Sequence, residues 1–187
     1  MVRSEEHVEG LPKLSHGSKE EVRKANVLVA RTARACDLIA DQGGGFAVEN
    51  PAPREGKPSL FKMPAIVALQ KKHSARSVEF DQCRYGAPTT KPTRVLWHRG
   101  GFVTLHKECD HPPRWQEGPR GRTISRSWSW APHPPLWGQK KDGVWRAKLA
   151  AQYPPALCRE LARCIAVTQP LVAADRAASG PTSGRSE

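Results

Sequence analysis

The stretch Gly43-Gly44-Gly45-Phe46-Ala47-Val48-Glu49-Asn50-Pro51 constrains this chain more than any other. Three glycines can end a preceding helix at low steric cost. Phe46-Ala47-Val48 is an apolar run without alternation, the pattern of a strand covered on both faces. Pro51 cannot donate to a strand ladder, and it biases Asn50 towards an extended backbone. Glu49 and Asn50 are then expected where a parallel strand meets its loop, the edge of an α/β sheet at which ligands bind. A plain strand ending in a polar turn accounts for the same residues.

The flanking sequence supplies the other elements. Ser18 and Glu21 form an S-x-x-E capping box, which predicts a helix from Ser18 to about Gln42. Its apolar stripe is Val22, Ala25, Val29, Ala33, Cys36 and Ile39, at spacings of three and four. Pro64 suits the first turn of a second helix, Pro64–His73. Strands are expected at Ser77–Asp81 and Arg94–His98, joined by a turn-rich connection. A last helix should span Pro155–Val167, with Leu157, Leu161 and Ile165 on one face. Between them, residues 112–146 read as an irregular basic region, and residues 1–17 and 168–187 as irregular or disordered termini. The predicted fold class is α/β: a partial doubly wound sheet of about three strands flanked by helices.

Charge points to a partner. Lys and Arg total 30 against 18 acids, a net charge of +12. A bias that large favours a polyanion, most simply DNA or another nucleic acid. Arg120, Arg122, Arg126, Trp128 and Trp130 cluster late in the chain. Arginines grip phosphates and tryptophans stack on bases, so these five are candidate nucleic-acid contacts. Some of the tryptophans are instead expected to close a small core. No apolar run approaches the roughly 20 residues that span a bilayer, so no membrane partner is expected. The five cysteines include no C-x-x-C pair, which suits a reducing, intracellular compartment, nuclear or cytoplasmic. Cys36, Cys158 and Cys164 lie in helical patterns and should be buried thiols. Cys83, His106, Cys109 and His111 have the chemistry of zinc ligands. H-x-x-C-x-H matches no standard finger, however, and ordinary loop residues are the simpler reading.

Several short motifs, in order, resemble the cytosine-5 DNA methyltransferases, and more closely a divergent branch of phages and mobile elements. That branch ends a strand in Glu-Asn-Pro, as at Glu49-Asn50-Pro51. About 35 residues on it has a Cys-x-Tyr-Gly…Lys-Pro-Thr segment, which Cys83 to Thr93 resembles. Its C-terminal helix is introduced by proline, as at Tyr153-Pro154-Pro155. The resemblance covers residues 18–111 and 147–166. It implies a Rossmann-like methyltransferase sheet, with Arg94–His98 beside the Glu-Asn-Pro strand and Ser77–Asp81 outside it. It implies that Glu49 bonds a flipped cytosine at ring nitrogen 3 and the amino group, and that Asn50 braces the loop. Lys91 would stand where the family has an arginine near the phosphate backbone, and residues 114–145 would sit where the family inserts its target-recognition segment.

Two family features are missing. The family binds S-adenosylmethionine through a Gly-rich loop after its first strand, and its nucleophile is a cysteine in a Pro-Cys dipeptide. None of the five cysteines follows a proline, and Gly43–Gly45 follows a helix. The expected reading is a C-terminal half-domain, residues 18–111, inactive alone and binding no cofactor by itself: a truncated gene, a decayed copy, or one half of a split protein with a separate N-terminal half as partner. A non-enzymatic basic nucleic-acid-binding protein and a small zinc-binding domain are the alternatives. The purified chain should therefore transfer no methyl group from S-adenosylmethionine to DNA in a radiolabel assay. Transfer that persists with all five cysteines changed to serine would exclude the half-domain reading.

Overall fold

The computed structural model describes residues 2–110, 113–117, 123–130, 133, 145, 148 and 151–167, with 113–117 and 123–130 described by their backbone. Helix α1 spans His16–Asp41 and starts two residues before the expected Ser18. Ser15 is the cap. Its backbone is extended, and its Oγ accepts from the Ser18 N–H at 3.3 Å. Ser18 is thereby drawn into the first turn. At the other end Gly43 adopts φ +79, its N–H bonds Ala40 O at 2.9 Å, and the Gly44 N–H bonds Ile39 O at 2.8 Å. This is a Schellman closure. A Cβ at Gly44 would lie 2.6 Å from Ile39 Cγ2, so Gly44 is needed for this close approach.

Three strands follow: β1 (Phe46–Pro51), β2 (Arg76–Asp81) and β3 (Pro92–His98). They form a sheet in the order β1-β3-β2, and both pairings are antiparallel. Residues 94–98 are the direct neighbour of the Glu-Asn-Pro strand and residues 77–81 lie outside, as expected. The expected parallel strand is not seen. β1 and β2 run the same way, but the reversed β3 lies between them, so no parallel pair forms. The apolar run of β1 is also not covered on both faces: Phe46 and Val48 are buried and Ala47 is exposed. β1 is an edge of this sheet. The run buried on both faces is Val95-Leu96-Trp97 in the central strand.

Alternation along the strands sorts two cores. Phe46, Val48 and Leu96 face Ala33 and Cys36 of α1, with Ile66 and Leu69 of α2 (Pro64–Lys72). Val78, Phe80, Val95 and Trp97 face Phe102, Leu105 and helix α3 (Pro155–Ala166), whose Leu157 and Cys164 are buried. Leu96, Leu105 and Leu157 are each fully buried, which is worth roughly 1.5–3 kcal/mol apiece. The result is a mixed α/β fold, a small antiparallel sheet with helices on both faces. The α1 stripe is narrower than predicted, because Ala25 and Ile39 are exposed. α1 has 26 residues and α2 nine, so at 1.5 Å per residue α2 covers only about a third of it. On α3, Cys164 replaces Ile165 in the buried face, and Cys158 is exposed rather than buried.

Two regions expected to be irregular carry more structure. Residues 2–15 form no helix or strand, yet they are fastened. Arg3 Nη2 donates to Asn26 Oδ1 at 2.7 Å, Asn26 Nδ2 donates to Glu9 O at 2.8 Å, and Glu5 pairs with Lys62. Within 112–146, β4 (Pro113–Glu117) and β5 (Thr123–Trp130) form an antiparallel pair with Trp115 opposite Trp128. The expected tail at 168–187 lies outside the described residues.

An acid-sensitive clamp joins α1 to α2. Asp37 accepts from Lys72 Nζ at 2.6 Å and lies 2.8 Å from His73 Nε2. These partners, Lys72 first, hold the Asp37 carboxyl down to about 2. An unfolded aspartate ionises near ~3.9. A depressed carboxylate stabilises the fold above its unfolded value, and that contribution is lost as pH falls through the folded one. Denaturant unfolding across the window from about pH 4 to about pH 2 should show falling stability, with a shallower fall in Asp37→Asn. Equal slopes in the two proteins would exclude the clamp.

Candidate functional site

Glu49 lies on the face of β1 turned towards α3, opposite Val95 in the register. Its Oε2 accepts from the Tyr153 hydroxyl at 2.5 Å. Its Oε1 is buried and has no hydrogen-bond partner among the described residues. Leaving such an acceptor unsatisfied costs about 1–3 kcal/mol, so the atom is poised for a donor. Tyr153 is placed by the docking of α3: buried Pro154 follows it, and Leu157 anchors the first turn. Burial raises the Tyr153 pKa, and the hydrogen bond to Glu49 raises it further.

Lys91 joins this group from the turn before β3. Its Nζ lies 5.2 Å from the centre of the Tyr153 ring, a cation–π distance. Its backbone has φ +37, and buried polar groups hold that turn. Thr93 Oγ1 donates to Lys91 O at 2.9 Å, and Gln82 Nε2 donates to Thr93 Oγ1 at 3.0 Å. Asn50 does not join the group. It is the register partner of Arg94, on the α1–α2 face, where Arg94 donates to Glu79 and lies over Phe61. Adjacent residues of a strand point to opposite faces, so Glu49 and Asn50 cannot close on one ligand from the same side.

A second cluster forms near the end of β2. The side-chain ligand atoms of Cys83, Cys109 and His133 all lie within 4.8 Å of one another. Cys109 Sγ is 3.5 Å from His133 Nε2, and His133 Nδ1 is 3.3 Å from Pro88 O. The Cys109 N–H donates to Asp81 Oδ2 at 2.7 Å. Burial, with the neighbouring Cys109, pushes the Cys83 thiol up to about 12. Of the four residues with zinc-ligand chemistry, Cys83 and Cys109 meet here, joined by His133. His106 Nδ1 lies 3.0 Å from Glu79 O and is not in the cluster, and His111 lies outside the described residues.

Tyr85-Gly86, part of the family-like segment, has a packing role. Buried Tyr85 donates from its hydroxyl to Leu105 O at 2.7 Å, and burial pushes its pKa up to about 12. Gly86, at φ +92, closes the short turn that carries Cys83. Of the basic candidates, Arg120 and Arg122 lie outside the described residues, and Arg126, Trp128 and Trp130 lie on β5. Sequence reasoning missed Tyr153 and His133. The Tyr-Pro-Pro triplet signalled a helix start, and the tyrosine beside it was the available clue. No spacing flags His133.

No family model matches the chain, and no curated protein or solved structure matches it. Among the described residues, no helix is long and apolar enough to cross a membrane.

The chain has two tyrosines, and both sites raise the tyrosine pKa. A raised value gives stability that is complete below the unfolded pKa of about 10 and is lost as pH rises beyond it. Spectrophotometric titration of the native chain should show no tyrosinate step near ~10. Tyr153→Phe should remain folded and keep only the Tyr85 step, near about 12. A step at the ordinary tyrosine value that disappears in Tyr153→Phe would exclude the Glu49–Tyr153 contact.

Proposed function

We propose that this chain carries the base-recognition edge of a DNA cytosine-5 methyltransferase-like domain of mobile-element origin, inactive alone. The observation that carries the reading is the buried Glu49 Oε1, which has no donor among the described residues, beside Tyr153 and Lys91. Cytosine offers an amino group there, which a carboxylate accepts, whereas thymine offers a carbonyl oxygen that a carboxylate repels. The base must leave the stack to reach such a site. Lys91 supplies a cation near it for the phosphate backbone, as a point charge without the arginine fork. The strand order β1-β3-β2 agrees with the order that the resemblance implies, although both pairings are antiparallel.

S-adenosylmethionine does not fit the residues present. A donor loop would need glycines before a helix, and here Gly43 and Gly44 are used to close α1. A thiolate nucleophile in a Pro-Cys dipeptide is also absent from these 187 residues. In a split protein both functions would come from a separate N-terminal half; in a decayed copy they are lost.

Binding to duplexes with a single unpaired base tests the proposal. The chain should bind an unpaired cytosine about tenfold tighter than an unpaired thymine, a difference of ~1.4 kcal/mol. Glu49→Gln should erase the preference, since its amide can donate to thymine as well as accept from cytosine. Equal affinity for both bases in the unmodified chain would sink this reading. Salt-dependent binding that survived such a result would favour the non-enzymatic basic protein, whose support is the net charge of +12.

A further inference from the structure

We propose that Cys83, Cys109 and His133 bind zinc, and that the metal fastens the segment after β5 to the end of β2. The site is independent of the Glu49 reading. Its three ligands come from separate parts of the chain: the short turn after β2, the segment after Leu105, and the segment beyond β5. Nothing in local geometry requires them to meet, yet their ligand atoms fall within 4.8 Å of one another.

The sulfur–nitrogen distance fits a tetrahedral ion. Zinc holds a thiolate at about 2.3 Å and an imidazole nitrogen at about 2.0–2.1 Å. At the tetrahedral angle those bonds place sulfur and nitrogen roughly 3.5 Å apart. Cys109 Sγ and His133 Nε2 are 3.5 Å apart. The second nitrogen of the ring supports the same assignment. His133 Nδ1 faces the Pro88 carbonyl at 3.3 Å, so it carries the proton and leaves the Nε2 lone pair to face Cys109 Sγ. A ligand histidine commonly donates its other N–H to a carbonyl, which fixes both tautomer and ring orientation. The Cys109 backbone is held in turn by Asp81 Oδ2 at 2.7 Å.

The donor set selects the metal. Two soft thiolates and an imidazole suit zinc and reject magnesium or calcium, which take oxygen ligands. Binding releases two thiol protons to solvent, and the dication then balances two thiolates. Cys83 and His133 are buried, so the ion would be largely shielded from solvent. Three protein ligands leave one corner of the tetrahedron for a further ligand.

The test uses the full chain, expressed with zinc and purified without chelator. Elemental analysis should find stoichiometric zinc. Cobalt exchanged for it should give tetrahedral d–d bands and a thiolate-to-cobalt charge-transfer band. Cys83→Ser, Cys109→Ser and His133→Ala should each lose the metal, while His106→Ala and Cys164→Ser should retain it. Should the ligand variants fail to fold, alkylation of the unmodified chain decides the matter. A chelator should then speed modification of Cys83 and Cys109, as mapped by mass spectrometry, and leave exposed Cys158 unchanged. Folded native chain without bound zinc, a cobalt spectrum lacking the thiolate band, or chelator-independent alkylation of Cys83 and Cys109 would each overturn the proposal.

Discussion

Every hydrogen bond between strands of the central sheet involves β3. β1 and β2 do not touch as strands, and each pairs only with this one segment. β3 also divides the apolar interior: Leu96 enters the core beneath α1 and α2, while Val95 and Trp97 enter the one beneath α3. A central strand buried on both faces needs an unbroken apolar run, and Val95-Leu96-Trp97 supplies it. Edge strands need only one apolar face, which is why Ala47 can be exposed between two buried neighbours.

The same strand positions both candidate sites. The connection from Gln82 to Pro92 runs between them, with Cys83 and Pro88 at the thiol–imidazole cluster and Lys91 beside Tyr153. Along its inner side, Gln82 donates to Thr93 and Thr93 donates to the Lys91 carbonyl. Gln82 and Thr93 are buried, so these bonds are not interchangeable with bonds to water. One short polar thread thus fixes the turn that presents Lys91 and the turn that presents Cys83. A disturbance at either end has a direct covalent and hydrogen-bonded route to the other.

The legible parts of the fold were those written locally. Proline at the first turn marked the start of α2 and of α3, and alternation at Val78 and Phe80 marked β2. Glu49 was legible as the first polar residue after an apolar run, which is where β1 carries it. Strand direction was not, since an apolar run reports burial and not the direction of its neighbour. Nor was Tyr153, which reaches Glu49 across 104 positions, or His133, which meets Cys109 across 24. Such encounters are settled by how α3 docks and how β5 ends, and neither leaves a periodic trace. The Ser18 capping box was a plausible local signal that lost to Ser15, whose extended backbone better suits the cap.

The strand order has a consequence for synthesis. A ribosome delivers β1 and β2 before β3, and the first two cannot pair with each other in the native arrangement. Phe46 finds its partner His98 only after the intervening residues have emerged. Until then α1 can form, but Phe46 and Val48 lie on a strand with no native ladder on either side. The nascent chain passes through an interval in which this apolar strand is exposed to other chains and to chaperones. Pairing across such separations is intrinsically slow, so translation speed through residues 50–98 becomes a determinant of yield.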